Sequence, residues 1–199
     1  MATGFLHHIG TFLLFASSIL LLITTISAPV INDIGILKVK LTNGTDSSHS
    51  VVSFGTFGYC VLDVDSNGND YCTKSHIGYN PASIISRSDH TSFSTASETT
   101  TKALTRVMIL HPIACGTMFI SFLLALGAGL IGSFLASLVS SIAFIIALIA
   151  MACDFALWGI IKNHVNGSAD DSGSHAYFSV GIWCVLAGML GVLGTVLVL

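Results

Sequence analysis

Two cysteines, Cys60 and Cys72, flank a run of aspartate, asparagine and glycine, and this is where the residue types come closest to chemistry. Within FGTFGYCVLDVDSNGNDYC (54–72), Asp63, Asp65 and Asn67 set oxygen ligands at alternate positions ahead of Gly68, which is the first half of a calcium loop. The second half fails. Its twelfth position is Lys74, where a bidentate glutamate is needed, so these residues are a weak calcium candidate. Asn67-Gly68 also makes a favoured hairpin turn, and a plain turn is the expectation. A redox pair would have two residues between its cysteines, and a zinc site would need further ligands. A structural Cys60–Cys72 disulfide is therefore expected, worth roughly 3 kcal/mol through the unfolded state.

Other reactive types are sparse. No nucleophile stands beside a base, no glycine-rich loop could cradle phosphate, and no His/Cys cluster has metal spacing. The expectation is a protein that is not an enzyme and has no cofactor. His7 and His8 are adjacent, and adjacent helix positions do not share a face, so they read as an interfacial pair. Asn43-Gly44-Thr45 and Asn166-Gly167-Ser168 are N-glycosylation sequons. Asp154 is an acid inside an apolar stretch, a position that needs a partner; Arg106 and His111 are the expected ones.

The elements that must position these residues follow from composition. The chain has 199 residues, of which 53% are hydrophobic and 9% charged. A soluble domain carries roughly 25% charged residues. Four apolar stretches, about 5–28, 107–130, 133–161 and 176–199, reach the length of a span. Backbone groups in lipid must be paired internally, so continuous runs of this length are helices. The first has no basic residue before it and outlasts a signal core, so a retained anchor is expected. The spans are unbroken and show no inverted repeat, against a transporter. No basic run points to nucleic acid.

Between the spans lie a large loop (29–106), a minimal turn near Gly129–Ser133 and a short loop (162–175). All seven Lys and Arg fall in or beside the two loops, which by the positive-inside rule would face the cytoplasm. The sequons and the cysteine pair point outward, and the charge rule fades for loops beyond roughly 60 residues. Both loops are thus expected outside and both termini in the cytoplasm. Residues 30–41 and 51–64 read as strands, and 83–101, rich in Ser and Thr, as an exposed connection. Small residues recur four apart (Ser133/Ser137/Ser141, Ala143/Ala147, Ala125/Gly129, Ala187/Gly191), a spacing that lets helices approach closely in lipid, within the bundle or against a partner.

Phe54, Gly55, Gly58, Tyr59 and Cys60, then Cys72, then Gly78-Tyr79, resemble the extracellular signature of a fungal four-span family. It comprises the PalI pH-response regulators and the cortical-patch (eisosome) proteins. LTRVMILHPIAC (104–115) and DFALWGIIKNHVN (154–166) look more like the PalI branch. The cysteine pair is also similar to the claudin arrangement, without the claudin Trp and Gly-Leu-Trp. The resemblance covers nearly the whole chain. It implies one four-span domain over 1–199: an all-α membrane protein, a four-helix bundle with a small disulfide-clamped β-rich extracellular cap. It further implies a plasma-membrane accessory protein that helps a multi-span pH receptor, in contact with lipid. The alternatives are a cortical membrane-domain organiser and a regulatory subunit of a membrane enzyme such as a cell-wall polysaccharide synthase.

Overall fold

The structure is a computed structural model. It describes residues 4–42, 51–62, 69–89, 92–127, 129–167 and 173–198. Six helices and five strands are described: α1 Phe5–Thr25, β1 Leu37–Lys40, β2 Val51–Phe54, β3 Tyr59–Leu62, β4 Tyr71–Cys72, α2 Pro81–Asp89, α3 Thr95–Val107, α4 Leu110–Leu126, α5 Leu130–Gly167, β5 His175–Phe178 and α6 Val180–Val198. Four helical segments are long and apolar enough to cross a membrane: His7–Thr25, Thr95–Leu126, Gly132–Gly167 and Val180–Leu197. The chain is a multi-pass membrane protein with a small antiparallel sheet, and its fold is claudin-like.

Two compact units emerge. The helix unit comprises Met1–Ile23, Leu110–Met151 and Trp183–Leu199. Its sequence holds no Asp, Glu, Lys or Arg, so hydrocarbon can surround it without burying a side-chain charge. Its core is built from Leu14, Leu21, Ala114, Met118, Ala143, Ala147, Val185 and Val192. Small residues set its helix contacts. A Cβ on Gly191 would collide with Ser17 Oγ, and one on Gly188 would sit 3.5 Å from the Ser17 carbonyl. The Thr195 hydroxyl donates to the Gly10 carbonyl (3.4 Å), and Ser121 donates to the Ala136 carbonyl (2.8 Å). Ala125, Ala143 and Ala147 of the four-apart pattern are thus buried inside the unit.

The sheet unit comprises Thr24–Ile109 and Ala152–Ile182. Its five-stranded antiparallel sheet runs β4-β3-β2-β1-β5. Leu37, Val39, Val52, Phe54 and Ala176 point into one core with Leu157, Trp158 and Ile161 of α5 and Ala82 and Ile85 of α2. Alternation along β1 leaves Lys38 and Lys40 on the other face.

Several expectations are revised. The described part of the 51–64 segment, 51–62, is two strands, because Gly55–Gly58 turns the chain back, with the Gly55 N–H donating to the Gly58 carbonyl (2.9 Å). Only Leu37–Lys40 of 30–41 is strand; Val30 and Ile34 donate to the Ser27 and Ile31 carbonyls in turns instead. Within 83–101, residues 83–89 and 95–101 are helical rather than an exposed connection. Asn80 caps α2, its side chain accepting from Ser83 N–H (3.3 Å), and Pro81 follows at the first helical position, where its missing N–H costs nothing. Ser94 caps α3. Pro112 explains the break between α3 and α4, since in one continuous helix its ring would strike the carbonyl of Met108. The short loop is shortened from both ends: α5 runs to Gly167, and β5 joins the sheet beside β1.

Gly191→Leu should destabilise the detergent-solubilised protein by about 1–3 kcal/mol, because its side chain must displace Ser17. Gly159→Ala, where a Cβ meets nothing within 4 Å, should stabilise α5 by up to about 1 kcal/mol. Thermal melts of the two variants check the opposite signs.

Candidate functional site

The signature residues gather where the β2–β3 turn meets the end of α1. A Cβ on Gly55 would collide with the backbone of Ala28, so no other residue fits there without movement. A Cβ on Gly58 would lie 2.7 Å from Thr73 Oγ1 and 3.1 Å from the Pro29 ring. Thr56, between these glycines, is buried. Its hydroxyl donates to the Thr24 carbonyl (2.7 Å), and its N–H donates to Ser27 Oγ (3.1 Å). Thr24 lies in the last turn of α1, where carbonyls lack intrahelical partners, so Thr56 caps that helix from a distant part of the chain. The Thr24 hydroxyl in turn donates to the Gly181 carbonyl (3.3 Å).

Tyr79 locks the same turn from inside. Its phenol donates to the Gly55 carbonyl (2.6 Å), and its ring stacks on Phe54 at 6.5 Å between centroids. Phe54 also meets Trp158 at 5.5 Å. Gly78 makes this entry possible. Its φ of +79° is a left-handed conformation, and a Cβ there would come within 2.8 Å of Arg106 Cγ. The Thr105 hydroxyl of α3 then donates to the Tyr79 carbonyl (2.7 Å). Burial pushes the Tyr79 phenol well above its usual range, and the Asp154 carboxylate adds to the shift. The group therefore stays a proton donor at any pH near neutral.

Cys60 and Cys72 are directly opposite on β3 and β4 and joined by a disulfide. Asn32 covers it. Its Oδ1 lies 3.2 Å from Cys72 Sγ, a contact rather than a hydrogen bond because a bonded sulfur carries no proton, and its Nδ2 donates to Asp70 (3.0 Å). Tyr59 is half-buried at the start of β3. Burial and Tyr71 raise its phenol, while Arg87 pulls it back.

Asp154 is buried in the sheet unit, one turn before Trp158, and Arg106 lies on an exposed face of α3. His111 is buried in the helix unit. Asn166 has a role that the sequon did not convey. Its amide accepts from Ala176 N–H (2.8 Å) and donates to the Ala176 carbonyl (3.1 Å), occupying both main-chain groups of an edge-strand residue. Asn43, Asp63, Asp65 and Asn67 lie outside the described residues. Among the described residues, no group of three or more His, Cys, Asp or Glu could hold a metal ion. The His7 and His8 rings meet edge to face, with centroids 6.1 Å apart. The His7 ring lies 3.2 Å from the Ala125 carbonyl and 3.4 Å from Ser133 Oγ, and His8 is exposed.

Sequence reasoning passed over Thr56, Thr105, Asn80 and Trp158. Asn80-Pro81 is a helix-start signal that was there to be used. Thr56 sits inside the signature, and Trp158 follows Asp154 by four residues, on the same helix face. Thr105 carries no such mark, because its partner is 26 residues away.

The arrangement is a mechanical lock. The named hydroxyl and amide groups hold backbone rather than a bound molecule. The sequence model described as the SUR7/PalI family matches residues 6–193. The chain is similar to the pH-response regulator protein palI/prr-5 of Neurospora crassa, 34% identical over 116 residues, which is 58% of this chain and 15% of that protein. It is similar to the pH-response regulator protein palI/RIM9 of Emericella nidulans (29% over 120 residues; 60% and 19%). It is also similar to the protein of the same name in Pyricularia oryzae (28% over 116 residues; 58% and 14%). The matches thus span less than a fifth of these relatives' own length.

Tyr79→Phe keeps the stack on Phe54 but leaves the Gly55 carbonyl buried without its donor. The expected cost is about 1–3 kcal/mol, read by thermal or denaturant unfolding in detergent. An unchanged midpoint would show that the bond does not hold the turn.

Proposed function

From the premise that the chain belongs to the SUR7/PalI family, we propose that it is a plasma-membrane accessory protein of fungal ambient-pH signalling. It assists a multi-span pH receptor in reaching or staying at the membrane, and it performs no catalysis. The observation that carries this reading is the family match over 6–193, together with three relatives each named a pH-response regulator. The site is consistent with it, since a lock that fixes a small sheet suits a scaffold.

The orientation is part of the proposal: loops 29–106 and 162–175 outside, termini in the cytoplasm. The Cys60–Cys72 disulfide supports it, because such bonds persist in oxidising compartments. Asn43 then carries glycan. Asn166 does not, because its amide is engaged with Ala176. A glycosidase mobility shift should vanish in Asn43→Gln and persist in Asn166→Gln. Loss of the shift in Asn166→Gln alone would reverse that assignment.

Deleting the chain should blunt growth and signalling in alkaline medium and leave the tagged receptor in internal membranes. Unchanged signalling and receptor location would defeat the proposal. Static surface patches alongside that result would favour a membrane-domain organiser, and co-purification with a polysaccharide synthase would favour a synthase subunit.

A further inference from the structure

We propose that the helix unit holds one acyl chain of a membrane lipid in a groove between α1 and α4. The groove has a volume of about 430 Å³, within the range of small-ligand sites. Phe15, Ser18, Ile19 and Leu22 form one wall; they lie three, four and seven residues apart and so share a face of α1. That face runs about 10 Å along the helix. Cys115, Gly116 and Phe119 of α4 form the other wall. The two helices run antiparallel, with the Phe15 and Phe122 rings 5.0 Å apart and Cys115 Sγ 3.4 Å from the Ser18 carbonyl.

The lining selects hydrocarbon. Its two side-chain donors are already committed to backbone: the Ser18 hydroxyl to the Phe15 carbonyl (2.8 Å) and the Cys115 thiol to the Ser18 carbonyl. A polar headgroup would find no free donor among these residues. The groove also lies wholly on two membrane-crossing segments, so lipid chains surround it.

Its cross-section decides between a lipid chain and a partner helix. Phe15, Ile19, Leu22 and Phe119 stand at the rim, 40%, 39%, 47% and 46% exposed. Ser18 is buried beneath them, and Gly116 leaves a notch in the α4 wall where a Cβ would meet nothing within 4 Å. A helix is about 10 Å across and approaches closely only over small residues, so this bulky rim holds it off. A single polymethylene chain passes between the rim side chains and reaches the notch.

The test uses the full chain in phosphatidylcholine vesicles doped with phosphatidylcholine carrying a mid-chain diazirine. After irradiation, adducts should concentrate on 15–22 and 115–119 at least fivefold over Leu138 and Ile145, which are more exposed than the groove rim. Gly116→Leu, which fills the notch without a clash, should bring them down to that background. Even labelling of all lipid-facing positions overturns the proposal. So does groove labelling that survives Gly116→Leu in protein with an intact melt, or groove labelling by a diazirine sterol alone. A second measurement needs no variant. Phosphatidylcholine added back to delipidated wild-type protein should slow N-ethylmaleimide modification of Cys115 at least threefold and leave Cys184 unchanged. Equal effects on both thiols would overturn the proposal regardless of how Gly116→Leu folds.

Discussion

The approach of the Gly55 backbone to Ala28 is the constraint on which the sheet unit depends. It brings the β2–β3 turn against the chain just beyond α1, at a separation no side chain tolerates. Thr56 then reaches the open carbonyl of Thr24, Gly58 meets Pro29, and the Gly55 carbonyl faces the Tyr79 phenol. Each of these contacts is buried, where a hydrogen bond is expensive to leave unmade. The consequence is cooperative. A shift of the turn by one ångström would orphan a helix carbonyl, a buried phenol and the stack on Phe54 together.

The division of charge follows the division into units. All seven Lys and Arg and all ten acids fall within the sequence ranges of the sheet unit. The helix unit is left with backbone, apolar side chains, three histidines (His7, His8 and His111) and small hydroxyls, whose hydrogen bonds to carbonyls join its helices without burying charge.

Much of this was legible in the sequence. The spans followed from length and hydropathy. The disulfide followed from two cysteines around a turn, and the signature glycines were picked out only by the resemblance to a family. What was missed has a common cause. The Ser/Thr-rich segment read as a connection because those side chains compete with the backbone in isolated peptides. In α3 they fold back instead, Thr99 to the Thr95 carbonyl and Thr101 to the Glu98 carbonyl, and Thr101, Thr105 and Met108 bury one face. Strand β5 was invisible because a four-residue strand takes its meaning from a partner far away, at β1. The pairing of the Asn166 amide with Ala176 was likewise invisible, because the two lie ten residues apart across a loop.

Gly55→Ala shows whether the Gly55–Ala28 contact fixes the sheet unit. Hydrogen exchange on the detergent-solubilised variant should show lost protection across β2, β3 and Thr24–Ala28, with α4 and α6 unchanged. Overall stability should fall by at least about 1–3 kcal/mol, the cost of overpacking a tight contact. A Gly55→Ala protein with wild-type protection at those strands and a wild-type melt would contradict it.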